Sequence, residues 1–383
     1  MHNSRFYFKN LDALRTLAAL SVFLRHSPIN NLMHSIPGVS VVWAGLSSGD
    51  LGVQFFFILS GFLITFLILL EEQNQNNFNI KNFYIRRILR IWPLYYGVVL
   101  LGLFVIPVVI NKQPDIFSNF LYLSFLSNFE HIYADQLMMK SPMYLTISWS
   151  VSIEEQFYLL WPLIFIIFKG ANRFRIILFL LLFSLAFRFG SYFLESWPFV
   201  YYHTISNTWY LALGGIAAYL VFNRSLVKTA FEKVPVKLTL IVYILTVVIV
   251  FGRSFFYKNF IFREASYILL ALCFIYIILE QCFAKKHFIE FHKFKVLSLF
   301  GKYTYGLYML HPLGLKATEI VFSKFGYKYG VDHVIGQFFV ALVFSIGFAL
   351  LSYYLVEIRF LKLKDKFQKV KTNARENIII PVP

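Results

Sequence analysis

Residues 11–26 read LDALRTLAALSVFLRH. The run is apolar enough to enter a bilayer, yet it carries Asp12, Arg15, Arg25 and His26. An ionisable group in a spanning helix is penalised by roughly 2.5–3.5 kcal/mol, so such groups face a polar interior. Arg15 and His26 lie on nearly the same helical face, roughly 16 Å apart along the axis. One face therefore pairs a permanent cation with a titratable imidazole across half a membrane. Two plainer readings stand beside this one: Arg15 pairs with Asp12 or snorkels to headgroups, and His26 marks the interface. The rest of the chain has to decide.

The chain has 383 residues, of which 58% are hydrophobic, 20% aromatic and only 14% charged. Soluble domains are nearer half apolar and a quarter charged. The composition specifies an all-α, polytopic integral membrane protein. A net charge of +17 would suggest nucleic acid in a soluble chain, but here membrane topology accounts for it and no nucleic-acid partner is expected. Cys273 and Cys282 are too far apart on one helix for a disulfide. No cleavable signal peptide is evident.

Apolar segments fall near 11–27, 52–70, 91–110, 150–168, 175–194, 207–223, 237–252, 264–283, 297–315 and 334–356, about ten transmembrane helices. Lys and Arg sort unevenly between the loops, with 24 in one alternating set and 9 in the other. The excess places both termini in the cytoplasm. Arg15 then lies toward the cytoplasm and His26 toward the outer face. The longest loops, 28–50 and 111–148, are external. The stretch 71–79, EEQNQNNFN, reads as a polar loop without evident chemistry. No internal repeat or matched pair of broken helices, the mark of a secondary transporter, is visible.

Four further stretches carry polar groups into the apolar spans. In 50–65, DLGVQFFFILSGFLIT, Ser60 and Gly61 sit mid-bilayer, where small residues allow close backbone approach to a helix or a ligand. In 83–96, FYIRRILRIWPLYY, Arg86 and Arg90 share a face with Arg87 beside them. That cluster matches phosphate geometry, or anchors the chain at lipid headgroups. In 148–162, SWSVSIEEQFYLLWP, Ser150, Glu154 and Tyr158 share one face. Glu154, about one turn in, suits orienting a histidine or binding a hydroxyl donor. Glu155 fits a charge complementing the helix dipole. In 301–313, GKYTYGLYMLHPL, Lys302 lies toward the inner end and His311 near the outer end. By depth, Arg15, Arg86, Arg87, Arg90 and Lys302 lie inward, while His26, Glu154 and His311 lie outward. Independent anchors have no reason to sort in this way, and a functional tunnel does. No metal-ligand spacing is present: His287 and His292, flanking Glu290, read as solvated loop residues.

These stretches together resemble the bacterial membrane-bound acyltransferase family 3, multi-spanning O-acyltransferases that modify exported glycans. The matching motifs are LDALR…H from Leu11, FFFILSGFLIT from Phe55, YIRRILRIWPLYY from Tyr84, SWSVSIEEQFYLLWP from Ser148 and GKYTYGLYMLHP from Gly301. Each is weak alone, but five in this order are specific and cover almost the whole chain. The resemblance implies an acyl-CoA co-substrate, acetyl-CoA by default, with no permanently bound cofactor and no metal. It also implies an essential Arg and His on the first helix, an arginine motif before the third and a carboxylate at Glu154. A transmembrane acyltransferase domain over 1–358 and a short basic cytoplasmic tail over 359–383 are expected. The C-terminal esterase-like domain of some members is not.

The expected activity is transfer of an acyl group from acyl-CoA to a hydroxyl of an exported or envelope saccharide or glycolipid, in the cytoplasmic (inner) membrane. His26, Glu154 and His311 are the candidate catalytic residues, with His26 as general base. A transient acyl-histidine on His26 is an open alternative. Arg15, Arg86, Arg87, Arg90 and Lys302 are candidates for CoA, and Ser60, Ser150 and Tyr158 for the acceptor. A polytopic transporter of a glycan or lipid, and a non-catalytic scaffold, are the competing readings. The sequence carries no sign of the oligomeric state.

Overall fold

The computed structural model describes residues 7–75, 78–109, 115–136, 142, 144–194, 197–257, 259–324 and 330–367. Among them every regular element is helical. Ten helices overlap the expected apolar segments, the third and ninth only in part. They are α1 (Leu11–His26), α2 (Gly49–Gln75), α3 (Ile80–Leu100), α4 (Ser148–Ile167) and α5 (Ala171–Leu194), then α6 (Thr204–Asn223), α7 (Val236–Phe251), α8 (Phe260–Phe283), α9 (Thr304–Lys324) and α10 (Val331–Ser352).

Seven helical stretches among the described residues are long and apolar enough to cross a membrane. An eighth joins them if Ser225–Glu232 and α7, bent by 88°, form one broken span. Some spans are apolar yet little covered by the chain: the most apolar window of Val331–Asp365 is 17% buried and that of Ala171–Phe193 is 22%. Apolar surface of that extent needs lipid around it. This is a multi-pass membrane protein.

At 16 residues α1 is short for a span. It buries Asp12, Thr16, Ala19 and Phe23, spaced by three or four, as one face. Its end is set by Pro28, which disfavours helical geometry at the preceding residue. Ser27 is extended with ψ 151°, which leaves His26 as the last helical residue.

Several segments read as loops are helical. The stretch 28–50 holds Ile29–Ser35 and Val39–Leu46, and 111–148 holds Ile116–Leu123 and Ser127–Gln136. The polar 71–79 stretch is in part the last turn of α2, where Glu71 meets Arg86 at 2.7 Å and Glu72 meets Arg173. Where a separate tail was expected from 359, α10 continues through a π-helical turn, Tyr353–Glu357, into helix Ile358–Asp365. The remainder of that tail, 368–383, lies outside the described residues. Both cysteines are free thiols.

The described residues divide into two compact units. One comprises Tyr7–Leu59 and Leu220–Ala349. In it Phe23 packs with Leu315 and Ala341, and Leu51 with Ile249, Tyr267 and Leu270. Beside the second cluster, Asp50 is bound through both carboxylate oxygens by Arg253 at 2.8 and 2.9 Å. It also accepts the hydroxyls of Tyr257 at 2.7 Å and Tyr267 at 3.0 Å. The other unit comprises Ser60–Tyr219 together with 350–367. Its core is aromatic: Phe125 stacks on Tyr95 at 4.2 Å and Trp161 on Phe157 at 4.4 Å. Gly61 lies against the backbone of Leu211 so closely that any side chain there would collide with it. Ser60-Gly61 thus serves helix packing through its glycine, as small residues in membrane helices do.

Candidate functional site

The first cluster is built by α1 and α9. Pro312 lies inside α9, and a proline in a helix has no N–H for the carbonyl four residues earlier. That carbonyl belongs to Tyr308, and the ring Nδ1 of His311 takes it at 2.8 Å. A carbonyl only accepts, so His311 Nδ1 carries the proton and, in the neutral ring, Nε2 carries the lone pair. His26 Nδ1 lies 3.1 Å from that Nε2 and is therefore the donor. The proton of neutral His26 is thus fixed on Nδ1, and its Nε2 keeps a lone pair. The two ring planes are 22° apart. His311 is buried, with Phe23 at its edge, while His26 is exposed. The arrangement is a directed chain from backbone to buried imidazole to open imidazole. Such an orienting partner fixes the tautomer of a working histidine.

At the other end of α1, Arg15 donates to Asp12 at 2.9 Å, the local pairing that the sequence left open. Gly301 fits tightly against Asp12, and Thr16 donates to the Leu297 carbonyl at 2.8 Å. Lys302 in the next position is exposed, its ammonium 4.7 Å from the Tyr303 ring centre.

The second cluster lies in the other unit, on α2, α3 and α4. Glu154 accepts hydrogen bonds from Ser60 at 3.0 Å and from Tyr158 at 2.7 Å, one on each carboxylate oxygen. The i, i+4 pairing of Glu154 with Tyr158 is the one the face pattern anticipates. Ser150, on the same face, donates to the Ile147 carbonyl at 3.2 Å. Arg87 lies between two rings, 5.5 Å from Phe83 and 5.3 Å from Tyr158, and its buried Nε has no hydrogen-bond partner. Arg86 is committed elsewhere: it pairs with Glu71 and donates to the Phe367 carbonyl at 2.9 Å.

Four positions need correction. α4 begins at Ser148, so Glu154 lies nearly two turns in, roughly 9 Å from the start, rather than one. Glu155 is deeper still, beyond the first turn where a helix dipole acts. It accepts from Trp92 Nε1 at 2.8 Å, and its other oxygen is buried without a partner. After α8, His287 pairs with fully buried Glu280 at 3.0 Å and His292 binds Asn10 at 2.7 Å. They are tied down rather than solvated.

A family model described as an acyltransferase domain, acyltransferase family 3, matches residues 8–355. The chain belongs to that family. Among curated relatives, the peptidoglycan O-acetyltransferase OatA of Listeria monocytogenes is 29% identical over 323 residues, 80% of this chain and 49% of that protein. The O-acetyltransferase OatA of Staphylococcus aureus is 28% identical over 325 residues, 80% of this chain and 50% of that protein. A putative peptidoglycan O-acetyltransferase of Bacillus subtilis, YrhL, is 34% identical over 171 residues, 42% of this chain and 24% of that protein. The chain spans about half the length of the first two. No solved structure gives a significant match.

In this family 3 acyltransferase chain the expected site residues fall into two groups, one per unit. His26, His311, Arg15 and Lys302 belong to one unit; Ser60, Arg86, Arg87, Arg90, Ser150, Glu154 and Tyr158 belong to the other. Sequence reasoning missed Glu71 as the partner of Arg86, Trp92 as the partner of Glu155, and Lys364, which faces the arginine cluster. For His311 a signal was present: the dipeptide His311-Pro312 puts an imidazole next to the carbonyl that the proline leaves without a donor. For Lys364 there was none, because it sits in a basic run counted only toward topology.

Proposed function

We propose that this chain moves an acyl group, acetyl first, from acyl-CoA to a hydroxyl of an exported or envelope saccharide. In this reading ten helices cross the cytoplasmic (inner) membrane and both termini are cytoplasmic. Family membership over 8–355 and the names of the OatA relatives support acyl transfer and a peptidoglycan-type acceptor. The observation that carries the reading is the His26–His311 chain, which leaves a lone pair on His26 Nε2 in an exposed ring.

His26 Nε2 takes the proton of the acceptor hydroxyl as its oxygen attacks the thioester carbonyl. The tetrahedral intermediate collapses by breaking the C–S bond. The departing CoA sulfur then takes the proton back from His26, which returns the imidazole to its starting tautomer. His311, held by the Tyr308 carbonyl, keeps the His26 ring in place throughout. Arg87 and Arg90 hold the CoA phosphates, since Arg86 is already bound to Glu71. In the unit that holds His26, Lys302 keeps an exposed cation for the CoA chain, while Arg15 is already paired with Asp12. Glu154, expected toward the outer face with the acceptor, instead shares Tyr158 with Arg87 and positions that guanidinium for the CoA phosphates.

The test is thiol release from acetyl-CoA by purified full-length protein given glycan strands of unmodified peptidoglycan. A His26→Ala variant is expected to lose about 10²–10⁴-fold in kcat, the usual worth of a general base, while its Kd for acetyl-CoA stays unchanged. A His26→Ala protein that releases thiol at the wild-type rate ends the assignment. Glycan movement without thiol release would mark a transporter.

A further inference from the structure

Helix Ile358–Asp365 follows the π-helical turn and packs along α3. Both of its ends are held. At the near end Glu357 is buried and accepts from Ser352 at 2.9 Å. Past the far end the Phe367 carbonyl accepts from Arg86. The helix therefore lies against the arginine-bearing face of α3. Its Lys364 is half-buried, and its ammonium is within electrostatic reach of Arg90, Arg87 and Arg86. The opposing carboxylate in reach is Asp365, next to it in sequence. Neighbouring Arg359, Lys362 and Lys366 are exposed instead.

Four cations are thus gathered on one side of α3. Three groups of carboxylates temper them: Glu71 binds Arg86, Glu357 acts on Arg90, and Glu154 and Glu155 act on Arg87. Among the described residues, neither Arg87 nor Lys364 forms an ion pair with a carboxylate, and the buried Nε of Arg87 has no acceptor. Like charges held together at a partly desolvated surface repel one another, and a polyanion binding among them relieves that repulsion. Planar guanidinium groups and a point-charge ammonium are complementary binders of phosphate oxygens.

We propose that Lys364 is a further phosphate-binding residue of the acyl-CoA site, brought to the arginines of α3 by the helix that follows α10. The assignment rests on the reading of Arg87 and Arg90 as holding the CoA phosphates. Phosphate is also the chemistry of anionic lipid headgroups, so the test separates the two sources.

The full-length protein is reconstituted in nanodiscs of phosphatidylcholine or of phosphatidylglycerol, and acetyl-CoA is titrated by calorimetry. Lys364→Ala is expected to raise the acetyl-CoA Kd about tenfold in both lipids, Lys364→Arg to restore most of it, and Lys362→Ala to leave it unchanged. The KM for the glycan acceptor and kcat at saturating acetyl-CoA stay at wild-type values. An unchanged Kd in Lys364→Ala beside weakened binding in Arg87→Ala overturns the proposal and leaves the functional reading standing. Loss of retained phosphatidylglycerol in Lys364→Ala, with acetyl-CoA binding intact, gives the residue to lipid and also overturns it. A wild-type protein that binds no acetyl-CoA removes the functional reading and this one together.

Discussion

Asp50 in one unit and Arg87 in the other are both charges set into membrane helices, but they are satisfied in different ways. Asp50 is met on both oxygens by Arg253 and by the hydroxyls of Tyr257 and Tyr267, whose oxygens lie 2.6 Å apart and share two protons in one closed network. Arg253 in turn lies 4.5 Å from the Tyr257 ring centre. Among the described residues, Arg87 lies between two ring faces and in the field of Glu154 and Glu155 without an ion-pair contact, keeps a buried Nε without an acceptor, and neighbours a Glu155 oxygen in the same state. A closed network locks helices together. An open one retains donors for an incoming group, at some cost to the fold. The contrast separates a charge closed into the fold from one that keeps donors open, without reference to any relative.

The largest test of the contrast is Asp50→Asn. Removing one partner of a buried pair strands the other, and here both side chains keep 15% exposure, so a loss of about 3 kcal/mol is expected. Thermal unfolding in detergent measures it. Thiol release per folded molecule should stay within a factor of two; a large fall there would make Asp50 part of the working site. Next comes Arg87→Ala, expected to weaken acetyl-CoA binding at least tenfold, or about 1.4 kcal/mol. Its stability loss should be only about 0.5–1 kcal/mol, the worth of a modest cation–π contact. A melting point lowered as far as that of Asp50→Asn would erase the distinction between the two regions.

The smallest effect concerns His131, a satisfied group outside the spans in the same unit as Arg87. Its Nε2 donates to the Thr146 carbonyl at 2.9 Å and its ring stacks on Tyr202 at 4.7 Å. Burial lowers its pKa from 6.5 to about 4. Between those values the unfolded chain binds a proton that the folded one refuses. The stability that depends on neutral His131 is therefore whole above pH 6.5 and declines as pH falls toward 4. At pH 5.5 the decline is about 1.4 kcal/mol. Melting curves at pH 7.5 and 5.5 should show a smaller acid shift in His131→Gln than in wild type. Equal shifts would place the acid sensitivity elsewhere.

Much of the fold was legible because helix-forming apolar runs are local: each of the ten expected segments is helical. Pairings one turn apart were legible for the same reason, as with Arg15–Asp12 and Glu154–Tyr158. Contacts between distant residues were not. His26 and His311 were each placed by depth, but nothing in their spacing announces a 3.1 Å bond. Glu71, Glu72 and Lys364 looked like loop or tail charges, and only the helices that carry them bring them to arginines. The number of apolar runs also exceeds the seven stretches that pass as spans among the described residues. A helix buried by its neighbours, such as α1, does not need the length or the uniform apolarity that lipid demands.

The turn Tyr353–Glu357 has a consequence for how this chain tolerates change. A π-helical turn accommodates one residue more than the α-helix around it. Everything after it is rotated by roughly 100° from a straight continuation. The face that Ile358–Asp365 offers to α3 is thus set by a single inserted residue, which acts as the indexing tooth of a ratchet. Deleting one residue there would leave the helix intact and turn Lys364 away from the arginines, an alteration that no substitution in the basic stretch itself could reproduce.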